Sequence, residues 1–151
     1  MKYRGNMVFG EEVAMQMADF VRSLQWPVEI MIPVPLGKKR LKERGYNQVG
    51  LVVQPLAYEL GLRYEPDALQ KTRETRSQVG LTAPQRSENV QDAYQADARV
   101  VKEKSVAIMD DVATTGSTIE ACTAALLSAG AREVYVLTIA RALPHHGLNR
   151  V

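Results

Sequence analysis

The stretch Ser105–Ala129, SVAIMDDVATTGSTIEACTAALLSA, decides how the chain is read. Its apolar run Val106-Ala107-Ile108-Met109 has the length and composition of a buried parallel strand. Asp110 and Asp111 follow where that strand should end, and then come only small or hydroxyl residues, Ala113-Thr114-Thr115-Gly116-Ser117-Thr118. Ile119, Cys122, Leu126 and Ala129 recur at helical spacing, and Gly130 is placed to stop the helix. A strand, a small-residue loop and a helix in this order belong to an α/β sheet, whose ligands bind beyond the carboxyl ends of the strands. A loop of this kind offers backbone N–H groups and the positive end of a helix dipole to an anion. The cradle suits a phosphate, and the two carboxylates suit neighbouring hydroxyls or a hydrated cation.

Helix capping alone is the competing reading of such a turn. A Walker-type loop is excluded because it needs a lysine, and Ala113–Thr118 holds none; GxGxxG is absent as well. Downstream, the β-branched run Glu133–Ile139 predicts a second strand, joined to the first by a right-handed crossover. Upstream, Val28–Pro33 reads as a third buried strand centred on Ile30, Met31 and Ile32. It breaks into Pro33-Val34-Pro35-Leu36-Gly37, a loop by its prolines and glycine, and a basic cluster of Lys38, Lys39, Arg40, Lys42 and Arg44. A solvated face is the usual meaning of such a cluster; its place at a strand end favours an anion site instead.

Val13, Met17, Phe20, Val21 and Leu24 predict an amphipathic helix over Val8–Leu24, ended by Trp26-Pro27. Val49, Val52, Val53, Leu56 and Leu60 predict another over Asn47–Leu60, closed by Gly61 and kinked or broken at Pro55. Leu62–Leu69 has room for a short strand near its end. Lys71–Asn89, KTRETRSQVGLTAPQRSEN, is too polar for a core segment and reads as a surface loop, with Arg73, Arg76 and Arg86 able to lie over a phosphorylated substrate as a lid. Within it, Thr82-Ala83-Pro84 predicts a cap and the first positions of a short helix to about Val90. His145-His146 falls in a tail with Pro144 and Gly147 and is not read as a metal site.

At 151 residues the chain is most simply one domain, 46% hydrophobic and 24% charged, as in ordinary globular proteins. A formal charge of +2 argues no general nucleic-acid binding. Cys122 is the only cysteine, on the core stripe of the central helix, so no internal disulfide and no four-cysteine zinc site can form. Without a signal peptide or an apolar run near the roughly eighteen residues of a membrane span, the expected compartment is the cytoplasm.

The thirteen residues Val106–Thr118 resemble, without a gap, the phosphoribosyl-pyrophosphate (PRPP) signature of the type I phosphoribosyltransferases. With PVPLGKKRLKERGYNQ at Pro33–Gln48 and TRETRSQVGLTAPQRSEN at Thr72–Asn89, the chain resembles the ComF/GntX family of competence- and DNA-utilisation-associated proteins. That resemblance runs from about Lys2 to Ala142 and implies a phosphoribosyltransferase-like domain over residues 1–142, a mostly parallel twisted sheet flanked by helices, with 143–151 as a C-terminal tail. The zinc ribbon with paired CxxC motifs that often precedes this domain in the family is not among these residues.

The resemblance also implies roles. Asp110 and Asp111 would hold the ribose 2′- and 3′-hydroxyls, and Ala113, Thr114, Thr115, Gly116, Ser117 and Thr118 the 5′-phosphate. The loop Val34–Arg40, with Leu36, Gly37, Lys38 and Arg40, and Arg44 near it, would take the pyrophosphate, with a non-proline cis peptide near Leu36-Gly37. Thr72–Gln78, with Arg73 and Arg76, would be the flexible catalytic loop. Mg²⁺ is the implied cofactor, held mainly through PRPP rather than by a protein metal site. The implied partners are PRPP, single-stranded DNA or the DNA-uptake machinery, and a second copy of the chain. No hood segment for a purine or pyrimidine is recognisable, so the acceptor stays open. Three functions fit: a phosphoribosyltransferase, a non-catalytic PRPP-binding regulatory or interaction module, and a nucleic-acid-binding accessory protein. Sparse aromatics speak against the third.

Overall fold

The computed structural model describes residues 4–73, 80, 82, 84–85, 92–111 and 116–139. In chain order the elements are α1 (Arg4–Leu24), β1 (Ile30–Pro33), α2 (Lys38–Arg44), α3 (Gly50–Leu60), β2 (Arg63–Tyr64) and β3 (Leu69–Lys71). After them come β4 (Tyr94–Ala96), α4 (Ala98–Val101), β5 (Ser105–Asp110), α5 (Ser117–Ser128) and β6 (Glu133–Thr138). Strands β2-β1-β5-β6 form a parallel sheet in that order, and β3 pairs antiparallel with β4 in a separate ribbon. The expected parallel sheet with flanking helices is therefore present.

Strand alternation explains why β1 and β5 read as unbroken apolar runs. Ile30, Ile32, Val106 and Ile108 face Cys122 and Leu126 of α5 together with Leu69, Tyr94 and Val101. Met31, Ala107 and Met109 face the opposite side, against α1 and α3. Both faces are covered, so every position is apolar. Gly130 stops α5 as expected: it takes a positive φ of 97°, its N–H bonds to Leu127 O, and the Ala131 N–H reaches Leu126 O at 3.1 Å.

The helices α1 and α3 depart from expectation in two linked ways. The buried stripe of α1 is Gly10, Ala14, Ala18 and Val21, while Phe20 is 57% exposed. Small residues let α1 come close to α3, and the larger apolar side chains are left to the flanks of the contact. Pro55 neither breaks nor shortens α3, which runs through it to Leu60. Proline removes the N–H that would bond to Leu51 O. That same carbonyl is where α1 makes its close approach, since a Cβ built on Gly10 would lie 2.5 Å from Leu51 O.

At the amino ends of the strands, Glu29 ties three segments. Its Oε2 accepts from the Ser105 N–H at 3.0 Å, and its carboxylate pairs with Lys104 at 3.7 Å and Arg132 at 3.5 Å. The Ser105 N–H first, then the two cations, hold its carboxyl below the ordinary glutamate range against the opposing effect of burial. A lowered carboxylate pKa contributes stability that is present above the unfolded value and lost as pH falls through the folded one. Glu29→Gln should therefore lower the melting temperature at neutral pH, and the gap to the wild type should close as the medium is acidified below pH 4. A gap independent of pH would remove the charge from the explanation.

Candidate functional site

The chain leaves β1 toward β2 on one side and leaves β5 toward β6 on the other. The order thus switches direction between β1 and β5, and the crevice at the carboxyl ends of strands at such a switch point is the place where open α/β sheets take ligands. The register pairs Pro33 with Met109, and the Val34 N–H donates to Met109 O at 2.8 Å. Asp110 is thus one step beyond the last residues paired between β1 and β5, beside the loop that follows β1. The acid pair and the first loop share one opening.

Asp110 is partly buried, and its Oδ1 accepts the Asp111 N–H at 2.8 Å; Asp111 itself is exposed. Burial raises the Asp110 carboxyl to about 6, with the Asp111 carboxylate adding to the rise and the Asp111 N–H opposing it. At neutral pH it is mainly ionised but close to titrating. Gly116, the N-cap of α5, has φ 80° and ψ −4°, a conformation that side-chain-bearing residues rarely adopt. Ser117 and Thr118 open the helix behind it, Ser117 buried and Thr118 half-buried. Ala113, Thr114 and Thr115 of the expected phosphate cradle lie outside the described residues.

The loop after β1 is shorter than expected. It ends at Gly37, the N-cap of α2, whose carbonyl accepts the Leu41 N–H at 3.0 Å. Lys38 and Arg40 are therefore in the first turn of a cationic helix rather than in a loop. A proline-fixed turn feeding a run of good helix formers explains the change. The expected cis peptide is also not found: every bond from Pro33 to Arg40 is trans, and Gly37 is extended at φ −64° and ψ 155°. Asn47 fixes this loop from outside, donating from Nδ2 to Val34 O at 3.0 Å while its Oδ1 accepts the Val49 N–H.

The cations do not all gather. Arg40 is close enough to the crevice to act electrostatically on Tyr94. Arg44 instead donates to Gln48 Oε1 at 2.8 Å at the far end of α2. Arg73 is exposed just past β3, and Arg76 lies outside the described residues. Of the expected short helix, Thr82 and Gln85 form a reciprocal cap, Gln85 Oε1 accepting the Thr82 N–H at 2.9 Å and Thr82 Oγ1 accepting the Gln85 N–H at 3.4 Å. Its course to Val90 is outside the described residues.

Two residues near the acid pair escaped the sequence reading. Tyr94, 9% exposed on β4, pairs with Lys71 at the end of the antiparallel ribbon, and the Lys71 ammonium lies 5.9 Å from the centre of its ring. The Tyr94 hydroxyl meets the Thr118 side chain, and its phenol feels Cys122 and Asp110. The Cys122 thiol is pushed up by burial first and by Asp110 second, so it is an inert core thiol. The available signal was the pairing of the two ends of the polar segment, which a three-residue strand, Tyr-Gln-Ala, does not advertise. An apolar cavity of about 150 Å³ beside Trp26, Leu60 and Leu62 shares no residue with the crevice.

No family model matches the chain. It is 39% identical over 120 residues to DNA utilization protein YhgH of Escherichia coli O6:H1, covering 80% of this chain and 52% of that protein. It is 35% identical over 116 residues to competence protein F of Haemophilus influenzae, covering 76% of this chain and 51% of that protein. The chain thus spans about half the length of the curated relatives it matches. Among solved structures, glutamine PRPP amidotransferase from B. subtilis, in complex with ADP and GMP, superposes with a TM-score of 0.56 at 23% identity. That match covers 89% of this chain and 26% of the amidotransferase. A structure described as the allosteric regulatory enzyme of purine biosynthesis matches with a TM-score of 0.55 at 22% identity, over 89% of this chain and 25% of its own.

Proposed function

We propose that this chain, which is similar over about half their length to DNA utilization protein YhgH and competence protein F and shares the fold of a PRPP amidotransferase, binds PRPP and transfers its pentosyl group to an acceptor in DNA uptake or utilization. The observation that carries this is the shared opening: Asp110 and Asp111 end β5 beside the loop after β1, and Gly116 begins α5 just beyond. In the reaction, the acceptor's nucleophilic atom bonds to the anomeric carbon while the bond to the pyrophosphate oxygen breaks, and pyrophosphate leaves with the electron pair. Positive charge grows on the ribose ring and negative charge on the leaving group. Carboxylates at the ribose hydroxyls and the cations Arg40 and Arg73 toward the pyrophosphate are signed to favour that charge separation.

Among the described residues no three His, Cys, Asp or Glu side chains gather as a metal site. Two carboxylates at one strand end suit Mg²⁺, which keeps several waters and arrives on a polyphosphate. Asp110 and Asp111 would face it, and when bound it would supply neutralising charge to the leaving pyrophosphate. The pyrophosphate role of Leu36, Gly37 and Lys38 rests on their place after β1 and at the start of α2, and not on a cis bond.

Calorimetry with Mg²⁺-PRPP, followed by pyrophosphate release with panels of nucleobases, amines and single-stranded oligonucleotides, tests the proposal. Binding without release under any acceptor would assign the non-catalytic module instead, a reading favoured by relatives named for competence and DNA utilization rather than for a reaction. No binding would remove both. Arg73→Ala, and Arg76→Ala with it, should lower pyrophosphate release more than PRPP affinity, because these cations matter most as the leaving group gains charge. Equal losses in both would place the two arginines in ground-state binding alone. A homodimer is part of the proposal, as is a cytoplasmic location; among the described residues no helix is long and apolar enough to cross a membrane.

A further inference from the structure

The stretch Gly45-Tyr46-Asn47, between α2 and α3, has no part in the proposed reaction, yet it closes the excursion that carries the cations. α2 has no buried residue, so packing into the core does not set where Lys38 and Arg40 stand. The two ends of the excursion must set it. At the far end Gly45 takes a φ of 81° and its N–H returns to Leu41 O at 2.7 Å, which turns the chain back. Asn47 then meets the near end. Its Nδ2 donates to Val34 O at 3.0 Å, and its Oδ1 accepts the Val49 N–H at 3.1 Å. Val34 is buried, and its own N–H is tied to Met109 O at 2.8 Å, one residue before Asp110. One side-chain amide thus joins the exit of β1, the return from α2 and the approach to α3. The partners fix which way that amide lies, since Val34 O can only accept and the Val49 N–H can only donate. Aspartate would serve equally well as a cap for the approach to α3. The bond to Val34 O needs the amide.

We propose that Asn47 is a positioning residue for the pyrophosphate end of the crevice, holding the Val34 carbonyl so that the turn Pro35-Leu36-Gly37 and the cations Lys38 and Arg40 behind it are set for the leaving group. The inference rests on the PRPP reading and adds to it a residue that acts through the loop. The chemistry is one of pre-organisation. Val34 is restricted by the proline that follows it, and Pro35 has no N–H, so the peptide between them offers a single handle, the carbonyl. Loss of the amide leaves that carbonyl unpaired at a buried residue and frees the turn to sample other courses. A ligand then binds only the fraction of molecules whose turn is in place, and its apparent affinity falls by that fraction.

The test is calorimetric binding of three probes to the wild type, Asn47→Asp and Asn47→Ala, each well below its melting temperature. Mg²⁺-pyrophosphate carries the leaving group alone, ribose 5-phosphate carries only the other end, and Mg²⁺-PRPP carries both. Asn47→Asp keeps the size of the side chain and an acceptor for the Val49 N–H, and it loses the donor to Val34 O. It should weaken pyrophosphate and PRPP by the same factor, about three- to tenfold for one lost hydrogen bond, and leave ribose 5-phosphate unchanged. Asn47→Ala should show the same pattern with a loss at least as large. Unchanged pyrophosphate binding in Asn47→Asp would overturn the inference. An equal loss for ribose 5-phosphate would do the same, marking a bond that serves the fold alone. Failure of the wild type to bind any of the three probes would instead overturn the PRPP reading, and the role of Asn47 with it.

Discussion

Asp110→Asn is expected to make the ligand-free protein more stable while weakening Mg²⁺-PRPP binding by about ten- to a hundredfold. The two effects share one cause. Burial lifts this carboxyl from 3.8 to about 6. A group raised by folding contributes stability that is complete below the unfolded pKa and is lost as pH climbs through the folded value. At neutral pH the charge is therefore held at a cost on the order of 1–3 kcal/mol. Asparagine removes the charge and still offers Oδ1 to the Asp111 N–H, so the local hydrogen bond survives. A rise of several degrees in melting temperature should follow for a domain of this size. Wild-type PRPP affinity should fall as pH drops below about 6, and the variant should show no such dependence. If the variant is less stable, or binds equally well, the strained-carboxylate account and the ribose role fall separately.

The second large effect is expected at the crossing of α1 and α3. Gly10→Ala would place a methyl group 2.5 Å from Leu51 O and 2.9 Å from Leu51 C, both backbone atoms that cannot rotate away. The helices must separate, at a cost of about 1–3 kcal/mol or somewhat more, typical of overpacking. Gly5→Ala on the same helix is the control, since nothing lies within 4 Å of its Cβ position. It should be neutral or slightly stabilising, because alanine is the better helix former. Denaturant titration of the two variants decides the matter; equal behaviour would show that α1 has room to move.

The parts legible in the sequence were those with strong local signals. Val106–Met109 and Ile30–Ile32 are apolar at every position because both sheet faces are covered, and their ends were placed to within a residue or two. Gly61 and Gly130 marked helix stops through the positive φ that each adopts. The acid pair stands at the end of β5 and Gly116 at the start of α5, where the sequence placed them. Elements resting on tertiary context were not legible. Residues Tyr94–Ala96 are too few to show alternation, and they are a strand only because Leu69–Lys71 lies opposite. The basic cluster gave no apolar stripe, since α2 has no buried residue, so its helical form was hidden. In α1 the predicted stripe held at Val13, Met17 and Val21 but not at Phe20, and Gly10, Ala14 and Ala18 were missed because close helix approach selects for smallness and not for hydrophobicity. A kink or a break was read at Pro55, and the break does not occur because the missing hydrogen bond was counted without the neighbouring helix that meets the freed carbonyl.

The ribbon of β3 and β4 has a consequence for how this protein can diversify. The segment between residues 73 and 92 starts and ends on adjacent backbone bonds, Thr72 N–H to Ala93 O and the Lys71–Tyr94 pair. Its two anchors are bonded directly to each other. Chain inserted between them alters only a closure entropy that grows slowly, about 0.6 kcal/mol for each doubling of length. The clamp makes the span an exchangeable cassette. Segments of different length and chemistry can be grafted there while the sheet, the acid pair and the start of α5 keep their geometry.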